Sequence, residues 1–193
     1  IDVTRIDEIE GLCENLALSI DGEKYNWRKE VLRLVEVIRG NNFDGATIAK
    51  SKQFSWDSLA KLLPTVNPSI SADQFRGRLE IALKETIAAL KANEDIDATK
   101  KTQTARQTLR RYLGQLQRKG SLPWYNLCKL ARFEKEVGAK SRECVEQVVK
   151  IGELHPALEA FQHDMKRYQD LLFDCAEAAI AEYDRYKKQR GRI

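Results

Sequence analysis

An all-α fold, a multi-helix bundle of about eight helices ending in one long heptad-patterned helix, follows from three observations on this 193-residue chain. No stretch alternates apolar and polar residues long enough to make a strand. Apolar residues instead recur at steps of three and four, which keeps them on one face of a helix. The 4 prolines and 10 glycines fall mainly at the joints between these stripes, where helices should stop.

Thr4 is placed to cap a first helix over residues 4–20, with Ile6, Ile9, Cys13, Leu16 and Ile20 on one face. Asp21-Gly22 breaks it, and a second helix over 23–39 buries Trp27, Val31, Leu34, Val35 and Ile38, with Gly40 as a left-handed stop. The two read as a helical hairpin. Residues 41–68 are less regular: Asp44 starts a short helix to Lys50, and Ser55 a second to Leu63. Their apolar residues, Phe43, Phe54, Trp56, Leu59, Leu62 and Leu63, suggest a packed linker. The expected division is therefore 1–63, the hairpin with its short helices, and 64–193, the main bundle; one continuous domain is the alternative.

Ser71 and Gln74 match a capping box, in which the serine side chain and the glutamine side chain each satisfy a backbone amide at the helix start. Phe75, Leu79, Ala82, Ile87 and Leu90 follow on one face. A helix over 98–118 stops at Gly120, and another runs from Ser121-Leu122-Pro123 to Gly138, so that 98–137 form a second, basic helical hairpin. Ser141 opens a helix to about residue 153. The last helix spans residues 156–190, a rod of about 50 Å at about 1.5 Å per residue. Its stripe is Leu158, Phe161, Met165, Tyr168, Leu172, Cys175 and Ala179, with Tyr186 one heptad beyond. Such a stripe needs a partner along its length, either the chain's own core or, in a coiled coil, another protein or a second copy.

Composition narrows the class. With 42% apolar and 32% charged residues the chain has enough apolar side chains for a core and enough charge to stay solvated. It holds no apolar run near the roughly 18 residues a membrane span needs, and no signal-peptide pattern. An intracellular protein, cytoplasmic or nuclear, is expected, and the start at Ile1 suggests a fragment of a longer chain. Cys13, Cys128, Cys144 and Cys175 form no Cys-x-x-Cys pair, so reduced core thiols are expected in place of disulfides or zinc. No cofactor is implied. Only His155 and His163 are available as near-neutral proton shuttles, and neither phosphate loops nor paired Glu-x-x-His motifs occur, so an enzyme is not expected.

Charge points to function. Residues 100–142 hold 12 basic side chains against Glu134 and Glu136, a local balance of +10 in a chain of net charge +4, so the remainder carries −6. On the 98–118 helix, Ala105, Leu109, Tyr112, Leu113 and Leu116 form the core stripe. Lys100, Arg111 and Arg118, flanked by Arg110, lie opposite, with Thr104 and Gln107 between them. On the next helix Leu127, Leu130, Phe133 and Val137 face the core, while Trp124, Tyr125, Lys129, Arg132 and Lys135 face away. Basic groups interleaved with aromatic rings suit phosphate neutralisation beside base stacking. The candidate nucleic-acid-binding set is therefore Lys100, Arg106, Arg110, Arg111, Arg118, Lys119, Trp124, Tyr125, Lys129, Arg132 and Lys135. The run 104–113 resembles the recognition helix of helix-turn-helix regulators, with the joint Lys119-Gly120-Ser121 behind it, over a small part of the chain and without following wing strands.

A non-enzymatic module binding DNA or RNA, part of a larger protein or complex, is the leading expectation. The alternative is a protein-interaction or scaffold domain that uses the C-terminal helix. A surface module on anionic lipid is a third, weakened because the basic helix has no insertion face beyond its core stripe.

Overall fold

The computed structural model describes residues 3–17, 19–20, 23–24 and 26–191, the four residues at 19–20 and 23–24 by backbone only. Among these are eight α-helices: α1 (Val3–Leu16), α2 (Trp27–Gly40), α3 (Gly45–Ala60), α4 (Ala72–Ala92), α5 (Lys100–Lys119), α6 (Trp124–Leu130), α7 (Glu146–Glu153) and α8 (Glu159–Gln189). Short 3-10 turns fill the stretch between α6 and α8, and a minimal antiparallel ladder pairs Ser19 with Lys24 and Ile20 with Glu23. The chain divides into two compact units, residues 1–64 with 163–193, and residues 65–162. The C-terminal helix, which the sequence reading kept with residues 64–193, thus has most of its length in the first unit.

The core of the first unit is built around α8. Tyr168, Leu171, Phe173, Cys175 and Ala176 are buried with Ile9 and Cys13 of α1, Trp27, Val31 and Ile38 of α2, and Ile48 of α3. More than one face of α8 is used here, because three helices surround it. Leu171 and Phe173 are buried off the heptad stripe, whereas Met165, Leu172 and Ala179 on it are half-buried and Tyr186 is exposed. Polar side chains tie the same helices together. Arg167 grips Glu8 through Nε and Nη2, both at 2.6 Å, and Lys52 Nζ reaches Asp174 at 2.7 Å.

Several boundaries differ from expectation for local reasons. Thr4 lies inside α1, and that helix stops at Leu16, where Ala17 takes a positive φ of 41°. The Asp21-Gly22 break lies outside the described residues. Helix α2 is capped by Asn26, and the left-handed residue after it is Asn42, φ 51°, while Gly40 remains helical. The two short helices expected at 44–50 and 55–63 are one helix, α3, capped by Asp44, since Ser51 to Ser55 hold no residue that stops a helix. Two of its neighbourhood's apolar residues are not packed: Phe54 is 72% exposed and Leu62 is 81% exposed.

The second unit pairs α4 with α5 and closes against α6, α7 and the 3-10 turns. Leu79, Leu83 and Leu90 of α4 meet a core that includes Leu109 and Leu116 of α5, Leu127, Leu130, Phe133, Val145 and Val148, all 2% exposed or less. The capping box forms as expected: Ser71 Oγ accepts from the Gln74 amide, and Gln74 Oε1 accepts from the Ser71 amide. Ser71→Ala is expected to cost about 1 kcal/mol, read as a lower urea midpoint at unchanged slope. Two expected helices are shorter. The 121–138 helix is only the seven residues of α6 followed by a 3-10 turn, Phe133–Glu136. The helix expected from Ser141 starts at Glu146, because Ser141 turns inward and spends its hydroxyl on a buried carboxylate. Pro156 lies in a 3-10 turn, and the extended Leu158 delays α8 to Glu159.

A candidate cationic cleft

One wall of the site is α5. Lys101, Thr104, Thr108 and Arg111 follow one another at steps of three and four, so they run along one face for about 15 Å. Lys100 and the ring of Tyr112 complete that wall. The other wall is the end of α6 and the turn after it, with Cys128, Lys129, Arg132, Lys135 and Glu136. Ala105, Phe133 and His155 lie deeper. Together they enclose a cleft of about 920 Å³. Six cationic side chains face it against the single carboxylate of Glu136, a net of +5.

The shape of this cleft depends on the shortening of α6. A straight helix to Gly138 would carry Lys135 onward along its own axis; the turn at Ala131 and Arg132 instead brings Phe133–Glu136 back beside α5. The start of α5 is fixed by a polar knot on Asp97, which is 5% exposed. Its carboxylate accepts from Thr99 Oγ1 and Ser141 Oγ, both at 2.7 Å, and from Thr102 Oγ1 at 2.9 Å. Thr102 Oγ1 in turn accepts from the Gly138 amide at 2.9 Å. Gly138 has no side chain because a Cβ there would run into the Asp97 carboxylate. The knot therefore joins the Lys100–Lys101 end of one wall to the end of the other.

Hydrogen bonds from Ser141, then Thr99 and Thr102, outweigh burial and hold the Asp97 carboxyl at about 2, below its ordinary 3.8. A carboxyl depressed in the folded state stabilises fully above the unfolded value and loses that contribution as pH falls through the folded one. The stability advantage of the wild type over Asp97→Asn is accordingly expected to hold at pH 6 and to shrink between about pH 4 and about pH 2, measured by urea midpoints.

Of the residues singled out from the sequence, Lys100, Arg111, Lys129, Arg132 and Lys135 converge on the cleft. Arg110, Arg118 and Lys119 are exposed on α5 but do not line it. Arg106 is committed elsewhere, with both terminal nitrogens on the carboxylate of Glu94 at 2.7 and 3.0 Å. Trp124 is half-buried edge-to-face against Phe161, centroids 5.4 Å apart. Tyr125 lies under Lys129, whose Nζ is 5.3 Å from the ring centroid.

Sequence reasoning missed a pair at the inner end of the cleft. Cys128 Sγ is 3.2 Å from His155 Nε2, and His155 Nδ1 is 2.7 Å from the Gly152 carbonyl oxygen. A carbonyl only accepts, so Nδ1 carries the proton and Nε2 is the acceptor facing the thiol. Burial pushes the Cys128 thiol up, against the pull of Arg132, and pushes the His155 imidazole down. Cys128 and Cys144 also depart from the expectation of core thiols: Cys128 is exposed and Cys144 half-buried, whereas Cys13 and Cys175 are buried. The helical wheel held a signal, since Cys128 is four residues from both Trp124 and Arg132 and so shares their outward side.

Comparison with protein-family models, with curated proteins and with solved structures finds no match to this chain. Among the described residues no helix is long and apolar enough to cross a membrane, and no group of three or more His, Cys, Asp or Glu side chains is arranged to hold a metal ion.

Proposed function

We propose that the chain is a non-enzymatic nucleic-acid-binding module whose second unit holds a phosphate backbone in its cationic cleft. The observation that carries this reading is the convergence of six cations from two walls on one concave surface with a single opposing carboxylate. Scattered surface lysines on a solvated helix would not face one another across a cleft. Flexible Lys and Arg side chains along two walls provide the sequence-independent part of nucleic-acid affinity. Tyr125 beside Lys129 supplies an aromatic face next to the cations, as single-strand grooves do. The scaffold reading, with the C-terminal helix as docking rod, has less support, because α8 is engaged in the first unit's own core as far as Ile180.

Fluorescence anisotropy with labelled single- and double-stranded DNA and RNA tests the proposal. For about five phosphate contacts on a single strand, affinity should fall about 100-fold between 50 and 200 mM salt. Absence of binding to every probe at 50 mM salt would sink it.

A further inference from the structure

The Cys128–His155 pair has no part in holding phosphates. Four observations bear on it: an exposed cysteine on the cleft wall, a neutral imidazole nitrogen 3.2 Å from its sulfur, a backbone carbonyl fixing that tautomer, and a cationic cleft around both. We infer that Cys128 is a thiol–disulfide exchange site for carboxylate-bearing disulfides whose two halves are each of about tripeptide size, with His155 as its proton acceptor.

His155 Nε2 takes the proton from Sγ, and the thiolate attacks one sulfur of the incoming disulfide. The bond between the two incoming sulfurs breaks, a Cys128–S–S–R bond forms, and the departing thiolate takes the proton from Nε2. One disulfide is consumed and one is made, so no external oxidant is required. A neutral histidine is what this step needs, and burial keeps His155 in that form at neutral pH. Burial raises the Cys128 thiol above its ordinary value and Arg132 works against that rise, so the surrounding cations lower the cost of the transient thiolate and draw anionic reagents into the cleft. A space of about 920 Å³ accepts a tripeptide-sized ligand. This inference concerns a different ligand from the proposed nucleic acid, and its test uses none.

The full chain is treated with oxidised glutathione or with its carboxyl-esterified form, and the adducts are located by peptide mass spectrometry. Each rate is divided by that of free cysteine with the same reagent. Cys128 is expected to be the first residue modified, with a normalised preference for the anionic reagent of about tenfold at 50 mM salt that collapses at 1 M. His155→Gln is expected to slow the reaction about tenfold at pH 7 and to remove the imidazole's inflection from the pH–rate profile, leaving a rise toward alkaline pH. The readings of site and salt stand even where that buried substitution impairs folding. Modification of Cys144 ahead of Cys128, or equal normalised rates for the two reagents, would overturn the assignment.

Discussion

Replacing Arg111 and Arg132 together by glutamate is expected to lower affinity for single-stranded nucleic acid at least about 100-fold. The two guanidiniums stand on opposite walls of the cleft, one on α5 and one just past α6. Each charge-assisted hydrogen bond to a phosphate contributes about 1.5–3 kcal/mol, so losing two costs about 3 kcal/mol or more, which is about two orders of magnitude in Kd. Reversal adds repulsion to that loss. The dependence of log K on log salt should also flatten by about 1.4, since each single-strand phosphate contact contributes about 0.7. Both arginines are exposed, so the urea midpoint should hardly move. Arg118→Glu provides the contrast. It lies two turns beyond Arg111 on the same helix and does not line the cleft, so it should weaken binding only a few-fold. A larger loss from Arg118→Glu than from the double reversal would move the site away from the cleft.

The largest effect on stability is expected from Gly152→Ala. Gly152 is buried in α7, and a Cβ there would stand 2.5 Å from the Ala131 backbone nitrogen and 2.8 Å from the Leu130 carbonyl carbon. These are main-chain atoms at the end of α6, and no side-chain rotation relieves them. Overpacking of that kind costs about 3 kcal/mol, while alanine returns about 1 kcal/mol in helix propensity, leaving about 2 kcal/mol net. For a chain of this size the melting temperature should fall by about 4–8 °C. Gly77→Ala in α4 and Gly114→Ala in α5 are the controls. A Cβ at either position meets nothing within 4 Å, so each is expected to stabilise by about 0.5–1 kcal/mol. If all three substitutions shifted the midpoint alike, close α6–α7 packing would not be what requires glycine at position 152.

The architecture was legible where a single helix supplies its own signal. Ser71 and Gln74 announced the start of α4, and the stripe Ala105, Leu109, Tyr112 and Leu116 marked the buried side of α5. Reading failed where a distant residue decides the local structure. Ser141 looks like a helix cap in isolation, but its hydroxyl goes to Asp97, 44 positions earlier in the chain. The chain leaves the α-helix at Ala131 and Arg132 without a proline or glycine there to mark the exit, so no propensity rule registers it. The cleft was half visible for the same reason. Charge tally and wheel identified Lys100, Arg111, Lys129, Arg132 and Lys135, whereas the diversion of Arg106 to Glu94 and the meeting of Cys128 with His155 depend on tertiary placement.

The division of the chain sets an order on its biosynthesis. Residues 65–162 form a compact unit from one continuous stretch of chain, and the Asn67 amide donates to the Ala157 carbonyl at 2.9 Å, so their two ends are stitched together. The first unit has no such autonomy, since its core requires Tyr168, Leu171 and Ala176 from α8. On the ribosome, helices α1, α2 and α3 emerge before α8 and must wait for about 100 further residues, about 5–20 s at ordinary translation rates. Of the two units, the one whose synthesis starts earlier is therefore the later to complete its core, and during that interval Trp27, Val31 and Ile38 are the surfaces a nascent-chain chaperone would meet.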